Sequence, residues 1–423
     1  MAFDKKRGLL SGAAVYLFSN ILNAAIPFLL LPILTRHLDP SEYGQVAMFQ
    51  VLVSALTAFV GLNAAGAANR KYYDAAAQQE MPLYIGACLQ ILVVSFLIVS
   101  VFLLTLREWL SNALGISIIW IMLAAVTSAA SFVVRLRLGQ WQVRKEPVKY
   151  GVLQISLSLF NALLSLLLVV LLSFGPEGRM IGQIIAPLLL GVVALGLLFR
   201  DGLLKISVNL DLVKDALQFG VPLIPHVGGG FLLTTIDRFV INKYLGLESA
   251  GVYMVAVQLT MVMSIVCDSI NKAYVPWLFE RLKRDRDDEK YKIVKWTYWY
   301  FFAAILAAVV AFFIGPFFVV LIAGEKYAEA GSVVGMLALG QAFQGMYLMV
   351  TNYIFYAKKT SRLSLVTIVS GLFNVGLLIM LIPWLGLQGA AIAFAMAMAL
   401  RFIGTWWLSQ AIYPMPWFRF KRI

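Results

Sequence analysis

LYIGACLQILVVSFLIVSVFLLTL, residues 83–106, contains no Asp, Glu, Lys or Arg. About 20 apolar residues in a helix suffice to cross a bilayer's hydrocarbon core. Within that core only helices and closed barrels satisfy their own backbone polar groups. Barrel strands are about 10 residues of alternating polarity, and this stretch neither stops nor alternates. Working outward from it, comparable runs recur along the whole chain. Spans are expected at 9–35, 44–65, 83–106, 116–138, 150–172, 180–199, 217–242, 250–273, 296–321, 332–356, 363–382 and 390–409. The 423-residue composition agrees, with 61% hydrophobic residues, 13% charged residues and a mean hydropathy of +0.86. The expected fold is an all-α polytopic membrane protein with about twelve transmembrane helices.

An even number of spans puts both termini on one side. Of the 34 Lys and Arg residues, 27 fall in the segments on that side, five fall opposite, and Arg238 and Arg401 lie inside spans. Cationic loops stay cytoplasmic, so both termini are expected there. The same distribution accounts for the net charge of +13 without nucleic acid, and makes anionic lipid the natural partner. Lys5-Lys6-Arg7 mimics a signal peptide, but the apolar run to Leu34 is too long for one and reads as the first span. Cys88 and Cys267 both fall in spans, so no disulfide framework is expected.

The chain also repeats itself. Arg36-His37-Leu38 with Gly44 corresponds to Lys243-Tyr244-Leu245 with Gly251, at an offset of 207. At an offset of 213, Lys145–Lys149 corresponds to Lys358–Arg362 and Leu159-Phe160-Asn161 to Leu372-Phe373-Asn374. Gly175-Pro176-Glu177-Gly178 is answered by Gly386-Leu387-Gln388-Gly389. Six spans per repeat give two pseudo-symmetric lobes, 1–205 and 206–423, in the same orientation, which is a transporter signature. No P-loop, nucleophile–base pair or metal-ligand spacing appears, so an enzyme is not expected. Asp285-Arg286-Asp287 spells a D-x-D, but within a mixed-charge loop it reads as solvated rather than as part of a glycosyltransferase.

Leu31-Pro32-Ile33-Leu34-Thr35-Arg36-His37-Leu38 through Glu42-Tyr43-Gly44 resembles the first-loop signature of Wzx-type O-antigen flippases. Gly220-Val221-Pro222, Ile236-Asp237-Arg238, Leu245-Gly246 and Ala250-Gly251-Val252-Tyr253 resemble the same family. It belongs to the multidrug/oligosaccharidyl-lipid/polysaccharide (MOP) exporter superfamily. The resemblance implies two six-helix lobes forming a V-shaped central cavity in the bacterial inner membrane. It also implies transfer of undecaprenyl-diphosphate-linked oligosaccharide, by alternating access, from the cytoplasmic to the periplasmic leaflet. O-antigen polymerase machinery is the implied protein partner. No cofactor is expected, and H+ or Na+ is the coupling ion. A drug or cation antiporter of the same superfamily is the alternative, and a membrane-embedded sugar polymerase or ligase is a third class.

The diphosphate requires fixed cations, for which the planar fork of Arg is suited. Arg401 lies about 17 Å into the last span, counted from Ala390 at about 1.5 Å per residue. An unpaired Arg there costs at least roughly 2.5–3.5 kcal/mol, so it is expected to face a cavity, or else a partner helix. Arg238, Lys272 and Arg135 are auxiliary substrate-binding candidates. Asp237, Asp268 and His226 are candidates for ion coupling or gating. Asp237 and Arg238 are adjacent on a helix and are not expected to pair with each other; they bind substrate or anchor the outer interface. Asp268 and Lys272, at i,i+4, form a structural salt bridge or a cytoplasmic gate. His226, near Pro222, Pro225 and Gly228-Gly229-Gly230, sits in a helix expected to kink, where it titrates or donates in packing. Arg135 and Arg137 anchor the fourth span or recruit the diphosphate. Asn20, Asn23, Asn161 and Asn374 are expected to glue helices, and Gln341, Gln344 and Tyr347 are possible sugar contacts. Trp406, Trp407 and Trp417 with Arg419-Phe420-Lys421-Arg422 read as an aromatic belt and basic anchor.

Overall fold

A computed structural model describes residues 2–74, 79–359 and 362–417. Side chains before Val15, and those of Asn20 and a few neighbours, are not described, and Arg419, Lys421 and Arg422 lie outside the described residues. The protein is helical, with no strand among the described residues. The helices are α1 (Ala2–His37), α2 (Pro40–Leu56), α3 (Ala64–Lys71), α4 (Met81–Thr105), α5 (Arg107–Leu114), α6 (Ile118–Val143) and α7 (Pro147–Leu166). They continue as α8 (Gly175–Arg200), α9 (Leu210–Gly220), α10 (Ile224–Thr234), α11 (Ile236–Arg284), α12 (Asp287–Ala323), α13 (Gly331–Tyr356) and α14 (Leu363–Ile412). Among the described residues, nine helical segments are long and apolar enough to cross a membrane. The chain divides into two compact units, Met1–Gly228 and Gly229–Ile423. The residue-205 boundary expected from the sequence falls before α9, which packs on α3 and α4 inside the first unit.

Glycine turns set the length of the longest helices. α11 turns at Gly246 (φ 87°, ψ 175°) and α14 at Gly386 (φ 57°, ψ −136°), conformations that a Cβ disfavours. Gly386 therefore separates the eleventh and twelfth expected spans. Its repeat partner Gly175 also has φ 57° and opens α8.

The repeat is written in backbone geometry elsewhere too. Lys145 (φ 59°) and Lys358 (φ 57°) are both left-handed, at an offset of 213. After α6, Lys145 N–H donates to Gln142 O and Glu146 N–H to Trp141 O; after α13, Lys358 N–H donates to Phe355 O and Lys359 N–H to Ile354 O. These are equivalent atoms in equivalent turns, a Schellman-type closure that satisfies orphan carbonyls. A Cβ on Gly178 would stand 3.0 Å from Leu168, and one on Gly389 2.5 Å from the carbonyl oxygen of the equivalent Leu381.

The expected span at 44–65 is not one helix. α2 stops at Leu56, and Gly61, Leu62 and Asn63 are all left-handed before α3 begins. The freed backbone is satisfied from neighbours: Gly61 N–H donates to Ser95 Oγ at 2.8 Å, and Asn63 Nδ2 donates to Gly220 O at 3.4 Å. Gly220 stands against Leu62 O, where a Cβ would collide. Gly220 is itself the end of α9, followed by a 3-10 turn at Val221–Leu223 containing Pro222. Two helix interruptions thus meet inside the first unit, which is how irregular backbone survives at membrane depth. The kink expected from Pro222, Pro225 and Gly228-Gly229-Gly230 falls at Pro222, in the 3-10 turn; the three glycines remain helical in α10, and a second break follows at Thr235 (φ −136°, ψ −34°).

In the second unit, residues 413–417 fold back onto α11–α13. Trp417 is fully buried, its ring 5.3 Å from that of Trp406 and 5.9 Å from those of Tyr298 and Tyr353, and its carbonyl accepts from Tyr298 Oη at 2.8 Å. It is a core residue rather than part of an aromatic belt, whereas Trp407 is exposed.

Candidate functional site

Arg401 projects from the middle of the 387–412 half of α14 toward one face of α13. Its Nη1 donates to Gln344 Oε1 at 2.8 Å, and its guanidinium carbon sits 3.8 Å from the centroid of the Tyr347 ring. Gln344 and Tyr347 are spaced i,i+3, so one helical face supplies both. Arg401 is half-buried, and its Nε has no hydrogen-bond partner among the described residues. Nor does any described carboxylate lie within 4 Å of it. A neutral amide and a π face stabilise this cation without cancelling its charge, so it can still attract an anion. Phe402, the next residue, stacks on Phe343 with ring centroids 6.2 Å apart.

The other intramembrane candidates of the second unit are ion-paired. Asp237 and Arg238 do pair, Nη1 to Oδ1 at 3.4 Å, against expectation. The pair sits at the first turn of α11, just after the Thr235 break, where side chains are not yet held to a helical face. Arg238 Nη1 also donates to Thr234 O at 2.7 Å, and Asp237 Oδ1 accepts the Arg238 backbone N–H at 2.9 Å. Both residues are buried, beside the fully buried Tyr253. The pair stitches α10 to α11. Asp268 and Lys272 form an i,i+4 bridge at 2.6 Å with both side chains nearly half exposed. One residue away, Asn352 Nδ2 donates to Asn271 Oδ1 at 2.8 Å.

In the first unit, Arg135 is exposed on α6 and His226 half-buried on α10. Arg137, expected as an anchor, is fully buried, ion-paired to Asp201, and stacked 4.1 Å over Trp141. Asn374 is fully buried and donates through Nδ2 to Leu232 O at 2.9 Å, as expected of helix glue. Its counterpart Asn161 accepts from Arg179 Nη1 at 2.5 Å, and Ser165 Oγ accepts from the same nitrogen at 2.6 Å. Arg179 falls between the expected spans 150–172 and 180–199, but it is buried near the start of α8; the i,i+4 polar pair Asn161 and Ser165 on a single helix face is the signal that points to it. Asp285 of the D-x-D pairs with Lys290 at 2.5 Å, which holds its carboxyl below the ordinary carboxylate range, and Arg286 pairs with Asp288 at 3.1 Å. That motif is an ion-paired surface turn. Among the described residues no group of three His, Cys, Asp or Glu is placed to hold a metal ion.

Comparison with solved structures shows the fold. An inward-facing multidrug resistance MATE family transporter of the MOP superfamily superposes with a TM-score of 0.72 at 15% identity, covering 94% of this chain and 97% of that one. The lipid II flippase MurJ, in an inward closed conformation, gives 0.73 at 14% identity, covering 96% and 87%. The chain therefore has the two-lobed helical transporter fold of that superfamily. Among curated relatives, an Lsg locus protein of Haemophilus influenzae is 25% identical over 393 residues, covering 89% of this chain and 94% of that protein. The capsular polysaccharide biosynthesis protein CapF of Staphylococcus aureus is 22% identical over 420 residues, covering 94% and 98%. The model of the polysaccharide biosynthesis protein family matches residues 9–282, well over half the sequence, and this multi-pass membrane protein belongs to that family.

Proposed function

We propose that the chain is a flippase: a secondary transporter, not an enzyme. It carries an undecaprenyl-diphosphate-linked oligosaccharide from the cytoplasmic to the periplasmic leaflet of the bacterial inner membrane. Arg401 carries the reading. It is a half-buried cation, held by Gln344 and Tyr347, with no described carboxylate to neutralise it. In a low-dielectric setting such a charge attracts a diphosphate strongly. Membership of the polysaccharide biosynthesis family and the fold shared with a lipid II flippase support the substrate class. Arg135 and Lys272, both accessible, are auxiliary cations, Lys272 once it leaves Asp268. Both termini face the cytoplasm, a reading that the Lys and Arg distribution supports.

The cycle is alternating access reset by H+ or Na+, with Asp237, Asp268 and His226 as the coupling groups once Asp237 and Asp268 release Arg238 and Lys272. A drug-cation antiporter would need an unneutralised carboxylate. Asp237 and Asp268 are each already bound to a cation, which favours an anionic cargo.

The test is leaflet accessibility of an undecaprenyl-diphosphate oligosaccharide in proteoliposomes, with wild type beside Arg401→Leu and with imposed H+ or Na+ gradients. Wild-type flipping lost in the folded variant is the expected result. Equal flipping by both would remove Arg401 from the mechanism. A rate indifferent to both gradients would remove the coupling.

A further inference from the structure

At the joined ends of α11 and α12 lies an apolar cavity of about 240 Å³, separate from Arg401. α11 contributes Ile270, Tyr274 and Trp277, α12 contributes Trp296, Thr297 and Tyr300, and the buried Met349 of α13 closes its base. Thr297 Oγ1 donates to Ile293 O at 2.9 Å and meets Tyr274 Oη at 3.4 Å. The mouth is marked by Trp296, 64% exposed, and Ile270, 43% exposed.

Both helices are graded toward one end. Ile270, Tyr274, Trp277 and Arg281 follow at i, i+4, i+7 and i+11, one helical face running from aliphatic to aromatic to cationic. On α12, Lys292, Trp296 and Tyr300 follow at i, i+4 and i+8. The two helices run in opposite directions from the turn at Asp285 and Arg286, so both cations lie at that turn, each about 6 Å of helix rise beyond the aromatic wall. Arg281 stacks 3.9 Å over Trp277, and no described carboxylate pairs with Arg281 or Lys292.

We propose that this cavity seats the first isoprene units of a polyprenyl diphosphate, with its phosphates at Arg281 and Lys292. An apolar cavity of about 150 Å³ accepts a six-carbon ring, so 240 Å³ takes on the order of ten carbons, or about two isoprene units. The ring faces of Tyr274, Trp277, Trp296 and Tyr300 that line it suit the double bonds and methyl branches of an isoprenoid better than a straight acyl chain. The basic rim complements a diphosphate, and the turn lies on the side the Lys and Arg distribution assigns to the cytoplasm, where cargo is loaded. The choice of an isoprenoid rests on the flippase reading above.

The experiment uses the purified full chain and a glycan-free geranylgeranyl diphosphate analogue carrying a diazirine on its second isoprene unit. Photolabelled peptides are mapped by mass spectrometry. Labelling within 270–300 or at Met349 is expected. Unlabelled geranylgeranyl diphosphate should compete at least tenfold better than hexadecyl diphosphate. Thr297→Trp, or Met349→Trp should the first variant fail to fold, fills the cavity and should lower labelling about tenfold or more; Arg281→Gln should lower it about fivefold. Labelling only outside the pocket, or undiminished labelling in a folded filled variant, would overturn the proposal. So would equal competition by the straight-chain diphosphate, which would hand the site to ordinary lipid. No transport is needed for this readout, so labelling without flipping would retain the pocket and reject the flippase reading. Flipping without labelling would do the reverse.

Discussion

Replacing Arg401 by Leu separates a functional charge from a structural one, because the two roles shift stability and transport differently. On the stability side, a cation near the membrane centre costs roughly 2.5–3.5 kcal/mol. A hydrogen bond to a charged group returns about 1.5–3 kcal/mol, and the Tyr347 stack about 0.5–2 kcal/mol. These terms nearly cancel, so Arg401→Leu should melt within about 1–2 kcal/mol of wild type. The first unit supports this: the position equivalent to Arg401, at the offset of 211 relating Gly178 to Gly389, is Leu190, packed against the cluster that holds Val134. On the transport side, losing a charge-assisted contact to phosphate worth about 1.5–3 kcal/mol lowers donor affinity roughly 10- to 150-fold. Arg401→Lys keeps the charge but loses the planar stack and the fork, and should fall between, near tenfold. The assay pairs thermal melting in detergent with flipping in proteoliposomes over a donor concentration series. Wild-type flipping by a folded Arg401→Leu, or a stability loss above about 3 kcal/mol that tracks the transport loss, would refute the reasoning and make Arg401 helix glue.

Asp201→Asn should cost about 3–5 kcal/mol, because it strands the fully buried Arg137; Arg137→Met in the same chain should recover most of it in a melting experiment. Gly389→Ala should destabilise by about 1–3 kcal/mol, since its Cβ meets backbone at 2.5 Å that cannot rotate away. Gly376→Ala, with nothing within 4 Å, should be neutral or stabilising by up to about 1 kcal/mol. Equal melting of the two alanine variants would invalidate the packing argument. If Asp237 carries the coupling ion, Asp237→Asn should flatten the dependence of flipping on pH and sodium. Unaltered dependence in the folded variant would assign coupling to another group.

The sequence made most of the spans, the repeat and the intramembrane Arg401 legible, because hydropathy and glycine turns are local signals. The break between α2 and α3 was not legible. The apolar pattern runs through Thr57–Val60, and the left-handed backbone at Leu62 and Asn63 packs against Gly220, over 150 residues away. Arg179 and Arg137 were misplaced or underread for a related reason. Charge counting assigns a residue to a side of the membrane, not to the neighbouring helix whose Asn161 or Asp201 will receive it. Asp237 with Arg238 failed differently: the rule that adjacent helical residues diverge holds inside a helix, and this pair sits on the first turn after a break.

What the repeat leaves unrepeated supports the proposed role of Arg401. The turns at Lys145 and Lys358 and the close packing at Gly178 and Gly389 are shared, as scaffolding needed twice should be. At the heart of the same helix pair the two units diverge. Ser131, Val134 and Leu190 in the first correspond to Gln344, Tyr347 and Arg401 in the second, and the close approach of Ala130 to Gly191 corresponds to the stack of Phe343 on Phe402. A duplicated structural ion pair would leave traces in both units, whereas a site for one headgroup needs only one. A transported anion must also leave. A cation cancelled by carboxylate would bind it too weakly, and a cluster of bare cations would not let it go. On the flippase reading proposed above, Arg401, resting on a ring and an amide, would keep most of its charge at modest cost and give a diphosphate a place to arrive and depart.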